Sequence, residues 1–121
     1  MTIYYSLADG ELRISRDDPP FEWQGRLDSM PVVEVHPLAD GTEALLLLDA
    51  PPGTSAVRNL VKIDATANIV WRGELPTTTQ ADCFVSLDLA PSGDVSASTW
   101  SGYRVVLSRE TGRLLDREFT K

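Results

Sequence analysis

Three stretches of the 121-residue chain read alike: Phe21 to Leu27 (Phe-Glu-Trp-Gln-Gly-Arg-Leu), Ile69 to Leu75 (Ile-Val-Trp-Arg-Gly-Glu-Leu) and Arg113 to Phe119 (Arg-Leu-Leu-Asp-Arg-Glu-Phe). Apolar residues fall at every second place in each, the mark of a half-buried strand, and a recurrence of roughly 40 to 50 residues lies in the range of solenoid and propeller units. The second and third copies align without a gap over a longer span. Val61, Ile63, Asn68, Val70 and Leu75 fall on Val105, Leu107, Gly112, Leu114 and Phe119. This repetition predicts an architecture, and no constellation with catalytic meaning sits on top of it.

The rest of the chain fits the same pattern. Ile3 to Leu7 and Glu11 to Ile14 flank Ala8-Asp9-Gly10, and an Asp-Gly pair between alternating residues is a strong hairpin signal. Val32 to Leu38 and Glu43 to Asp49 flank Ala39-Asp40-Gly41, a second hairpin whose Leu-rich arm is expected to be central and buried on both faces. Pro51 to Arg58 reads as a polar connection, Asn59 to Asp64 and Asn68 to Leu75 as a third hairpin, and Pro76 to Gln80 as a loop. Strands follow at Cys83 to Leu89, Asp94 to Trp100, Gly102 to Ser108 and Arg113 to Phe119. Asn68 stands where Gly112 stands in the later copy. Both types tolerate positive φ, which predicts a left-handed residue at Asn68 and at Gly112. No long segment shows a 3.6-residue period, so the expectation is an all-β antiparallel meander of about 10 strands in one domain spanning residues 1–121, with at most one or two helical turns.

Composition limits the function classes. With 42% hydrophobic and 24% charged residues, the chain is an ordinary globular one with a real core. A formal charge of −7 repels phosphate backbones and anionic membrane surfaces, which argues against a nucleic-acid or membrane partner. It also speeds encounter with a basic protein, although plain solubility is the commoner reason for an acidic balance. Cys83 is the sole cysteine, so no internal disulfide forms and a reducing compartment fits. No signal-like segment opens the chain, and its longest aliphatic run, Ala44 to Leu48, is far too short to span a bilayer of about 30 Å; a cytoplasmic location is the expectation.

The hairpin Asn59 to Asp64 with Ile69 to Trp71 resembles the inner strand pair of blades in PQQ-type and related β-propeller repeats. Gly93 to Ala97, Trp100 to Leu107 and Glu110 to Gly112 resemble them too. The resemblance covers about two thirds of the chain and implies blade-like sheets without implying an activity. Propellers close with four to eight four-stranded blades, whereas this chain has material for about two and a half. A compact sandwich or curved blade-like sheets are therefore expected, and no quinone, metal or other cofactor is carried over.

Individual residues give little chemistry. His36, beside Pro37 at a strand end, reads as a surface residue and not as a base. One histidine and one cysteine are too few for a zinc site. Cys83 beside Phe84 reads as a small core residue, with a nucleophile as the remote alternative. Asp17, Asp18, Glu22 and Asp28 concentrate four carboxylates within 12 positions. They are read as an acidic turn, with cation binding or glycoside hydrolysis the less favoured uses. Trp100 and Tyr103 bracket a predicted turn, with Arg104 beside them; packing over a turn in a β core is the commoner use of such aromatics, and an interface anchor is the alternative, since aromatic and arginine side chains are enriched at hot spots. Trp23 and Trp71 hold equivalent places in matching strands and are expected in the core.

The expected function is a non-enzymatic protein-binding module, in its more concrete form an immunity or inhibitor protein that neutralises a basic toxin or enzyme. The candidate contact residues are Asp17, Asp18, Glu22, Asp28, Trp100, Tyr103 and Arg104. The alternatives are a carboxylate-lined ligand binder or hydrolase using Asp17, Asp18, Asp28 and His36, and a structural subunit of a β assembly.

Overall fold

The structure is a computed structural model and describes residues 2–38, 41–51, 53, 55–77 and 80–120. Among the described residues it contains 11 strands and no helix. The strands are β1 (Ile3–Ala8), β2 (Glu11–Asp17), β3 (Pro20–Gly25), β4 (Val32–Pro37), β5 (Glu43–Leu48), β6 (Leu60–Asp64), β7 (Ile69–Arg72), β8 (Phe84–Leu89), β9 (Val95–Thr99), β10 (Tyr103–Leu107) and β11 (Leu114–Phe119). They form three antiparallel sheets in sequence order: β1-β2-β3, β4-β5-β6-β7 and β8-β9-β10-β11. The all-β expectation is met. The sequence repeat falls on β3, β7 and β11, the last strand of each sheet.

The sheets stack in three layers because the middle one is apolar on both sides. Ala44, Leu46, Leu48, Val61 and Ile63 point to the first sheet and, together with Val32 of β4, meet Leu12, Ile14 and Leu27. Leu45, Leu47 and Leu60 point the other way and meet Phe84, Leu87, Val95, Ala97, Val105 and Leu107 of the third. Strand alternation splits one Leu-rich segment between two cores. β5 is therefore the central, doubly buried arm that its composition predicts.

Apart from Tyr4 on the first sheet and Val106 on the third, both outer faces of the stack are largely polar. On the first sheet they carry Ser6, Glu11, Arg13, Ser15, Glu22 and Gln24, with Arg13 paired to Glu22 and Gln24 bonded to Glu11. On the third they carry Ser86, Asp88, Ser96, Ser98, Arg104, Asp116 and Glu118, with Arg104 donating to Ser98 Oγ at 3.1 Å.

Two sequence expectations are corrected. The left-handed residue of the β6–β7 turn is Ala67 (φ 68°), not Asn68; its counterpart is Gly112 (φ 74°) as expected. The turns match by their bonds: Ala67 N donates to Asp64 O as Gly112 N donates to Ser108 O, and Asp64 N to Asn68 O as Ser108 N to Arg113 O. The later turn is thus one residue longer, and the ungapped alignment slips there. In addition, the hairpin expected as an inner strand pair supplies the third and fourth strands, because β4 and β5 precede it in the sheet order. The Ala39-Asp40 part of one predicted turn lies outside the described residues.

Four exposed aliphatic side chains have an architectural origin. Val33 and Val85 are the extra residues of bulges at the start of β4 and β8, and Val70 and Leu115 are those of bulges in β7 and β11. A bulge residue opposes nothing across the ladder, so its side chain leaves the packed face. All four are about half exposed.

Candidate functional site

The three sheets differ most in the link between their equivalent second and third of four strands. In the first sheet it is the two-residue turn Asp9-Gly10, and in the third the turn 100–102. In the middle sheet it is the 49–59 segment. Connections this long in a compact domain commonly carry function. This one is tied to the connection 73–83 by a parallel bridge between Ala56 and Asp82 and by Val57 N donating to Asp82 O at 2.9 Å.

Asp82 organises this corner. Its residue is 3% exposed, and its carboxylate accepts four hydrogen bonds. Oδ1 takes Cys83 N at 2.9 Å and Ser101 N at 3.0 Å; Oδ2 takes Thr77 Oγ1 at 2.7 Å and Ser101 Oγ at 2.8 Å. A buried carboxylate is tolerable only with this degree of satisfaction. Four donors occupy its lone pairs, so it is a clamp holding the Trp100-Ser101 turn against the start of β8. Thr99 Oγ1 adds contacts to Ser101 Oγ at 2.9 Å and from Tyr103 N at 3.2 Å.

Trp100, on this clamped turn, is 67% exposed. Beside it lies a groove of about 320 Å³ lined mainly by Ala50, Pro51, Val57, Ala81, Cys83 and Trp100. Burial pushes the Cys83 thiol up, and the Asp82 and Asp49 charges push it the same way. Cys83 is thus largely un-ionised at neutral pH, the opposite of an activated nucleophile.

Asn59 ties the middle sheet to the third. It is 1% exposed, and its amide bridges two sheets: Nδ2 donates to Leu48 O and Phe84 O, both at 2.8 Å, and Oδ1 accepts from Phe84 N at 2.7 Å. A second latch lies at Arg109, whose carbonyl accepts from Lys62 Nζ and Trp71 Nε1, each at 3.0 Å. Lys62 is 6% exposed, and its charge is met by Glu43 at 3.1 Å. Asn59, Lys62 and Asp82 were missed from sequence as functional supports. A polar residue inside an apolar strand pattern, as Lys62 is between Val61 and Ile63, was the available signal.

The other sequence-selected residues do not gather into one surface. Asp17 and Asp18 precede β3 and Asp28 follows it, which puts a six-residue strand, roughly 20 Å, between them. Glu22 is paired with Arg13, and Asp28 holds Arg72 in a two-point bond at 2.8 and 2.9 Å. These acids belong to the first sheet and its exit, while Trp100, Tyr103 and Arg104 belong to the third, with the middle sheet between. Tyr103 is committed to packing, edge-on to Phe119 at 5.2 Å with the Arg117 guanidinium 5.9 Å from its ring. Arg104 lies on the outer face. His36 contacts Glu34 at 3.0 Å on the middle sheet, while Asp17 and Asp18 lie at the β2–β3 turn of the first. Among the described residues, no three His, Cys, Asp or Glu side chains are grouped to hold a metal ion, and no helix is long and apolar enough to cross a membrane.

Comparison with known proteins gives a fold and a family. The crystal structure of BamB from Moraxella catarrhalis superposes with a TM-score of 0.55 at 17% identity, over 98% of this chain and 32% of that one. The chain therefore spans about a third of the length of that structure, and the likeness concerns its stacked antiparallel sheets. No curated protein sequence matches. Residues 32–119 match a family described as a domain of unknown function, DUF7957. The matched span begins with β4 and ends with β11, so it takes in the two four-stranded sheets and leaves the first sheet outside.

Proposed function

The chain belongs to the DUF7957 family, and from that premise we propose that it is a non-enzymatic module that binds a protein partner at the groove beside Trp100. The observation that carries this reading is the exposed indole on a turn fixed by the buried Asp82 clamp. Large aromatic side chains cost little entropy to immobilise, and a pre-fixed turn reduces that cost further. The apolar groove next to it offers a pocket for a partner's aliphatic side chain.

The net charge of −7 supports a basic partner, since a long-range field of this sign accelerates encounter with one. On this reading Asp17 and Asp18 act through that field and not through contact. An immunity or inhibitor role, in which the bound partner is a basic toxin or enzyme, is the form most consistent with size and charge.

The test uses the purified protein as bait in lysate at moderate salt, beside a Trp100→Ala variant. The expected outcome is a basic protein retained in stoichiometric amount by the parent and at least about tenfold less by the variant, with unchanged melting. Equal retention by both would remove the groove from the contact.

A further inference from the structure

Residues 56–58 line two cavities. Val57 belongs to the groove beside Trp100, whereas its neighbours Ala56 and Arg58 line a second cavity of about 370 Å³. Glu74 and Leu75, from the exit of β7, and Thr111 and Arg113, from the β10–β11 turn, contribute to the same wall. The cavity therefore joins the middle sheet to the third and lies inside the span shared with the family.

Two guanidinium groups set its charge. Arg58 is held by the end of β7: Nε donates to Gly73 O at 2.9 Å, and Nη2 donates to Arg72 O. These bonds fix the plane of the group and leave Nη1 without a partner among the described residues. Arg113 is fixed at its backbone, where its carbonyl accepts from Ser108 N at 2.8 Å. Its guanidinium makes no hydrogen bond or ion pair among the described residues. The chain has 18 acidic residues against 11 basic ones, yet neither arginine of this cavity is paired with a carboxylate. The cavity's own carboxylate, Glu74, is turned to β11, with Oε1 accepting from Leu114 N at 2.7 Å.

We propose that this cavity binds a small organic monocarboxylate, whose carboxylate is held by Arg58 Nη1 and the Arg113 guanidinium. Two cations against one carboxylate leave a single positive charge in excess, which one further carboxylate neutralises. A doubly charged phosphate would exceed it and be repelled by Glu74. The planar donor fork of a guanidinium matches a carboxylate at two points. Ala56 and Leu75 offer an apolar wall to a short aliphatic chain. The overall charge of −7 opposes an anion's approach, so binding rests on these short-range contacts. The site does not depend on the groove beside Trp100.

The probe is 3-methylbutanoate, titrated into the full chain and followed by NMR of the backbone amides and the arginine side chains. Saturable shifts are expected at Ala56, Leu75 and Gly112 and at Nε of Arg58 and Arg113. The neutral amide of the same shape, 3-methylbutanamide, should produce none, and inorganic phosphate should bind more weakly. Arg113→Gln should weaken 3-methylbutanoate by at least about tenfold, with unchanged melting because the lost group bonds to nothing in the fold. If that variant melts lower, the comparison of acid with amide on the parent still decides. No saturable response to the acid, an equal response to the amide, or equal shifts at Arg26 and Arg109 outside the cavity would overturn the site. Tighter binding of phosphate would overturn the carboxylate as its ligand.

Discussion

At the scale of single residues, the two equivalent turns offer a controlled comparison. Ala67 and Gly112 occupy the same left-handed position, but only the glycine is suited to it. Ala67→Gly should therefore raise stability by about 1 kcal/mol, net of the entropy that glycine adds to the unfolded chain. Gly112→Ala should lower it by at least about 2 kcal/mol, because a Cβ there would lie 2.5 Å from the Trp71 ring in addition to the strained φ. Urea denaturation of both variants checks the opposite signs. The Arg72 guanidinium hydrogen-bonded to Asp28 holds that carboxyl below its ordinary value, outweighing the partial burial that opposes it. A depressed folded value stabilises above the unfolded value, about 4, and the benefit is lost as pH falls through the folded one. Asp28→Asn should consequently be less stable than the parent at pH 7, with the gap closing once the medium is taken well below the unfolded value. Denaturation midpoints measured at both pH values show whether it closes.

At the scale of elements, what joins the sheets matters more than what forms each one. The apolar run of β5 and the alternation of β9 are sufficient to form strands, but the third sheet is fixed to the second by the Asn59 amide and the Arg109 carbonyl. Asn59→Ala would leave Phe84 N and two carbonyls unsatisfied in a buried place and should cost about 3 kcal/mol. Amide exchange should accelerate at both Leu48 and Phe84, whereas a defect confined to β6 would accelerate neither. The strands themselves were legible: the hairpins about Asp9-Gly10, 64–68 and 108–112 lie where the turn chemistry put them. Bulges were not, since Val33, Val70, Val85 and Leu115 look like ordinary strand residues until the partner strand fixes which residue is left unopposed.

At the scale of the whole molecule, the three-layer stack is apolar within and polar at both ends. Face-to-face assembly into larger stacks would bury Arg13, Glu22, Arg104 and Glu118, and such charged faces behave as capping surfaces. The purified chain should accordingly sediment as a monomer of about 13.3 kDa at micromolar concentration, and a mass that grows with concentration would contradict this. The family span 32–119 alone would expose the side of the middle sheet bearing Leu46, Leu48, Val61 and Ile63; β1 to β3 cover it. The first sheet is therefore part of the same packed body even though it lies outside the matched span.

The sequence by itself determined the class, the hairpins, the recurrence and the doubly apolar middle strand, because alternation and turn chemistry are properties of neighbouring residues. The tertiary structure alone decided that the acidic group about Asp17 to Asp28 lies a full layer away from Trp100, that Asp82 is a clamp, and which strands are left unopposed at the bulges. Each of these depends on which distant segments meet, and the pairing of sheets is set by the summed burial of two cores, a quantity that no local pattern contains.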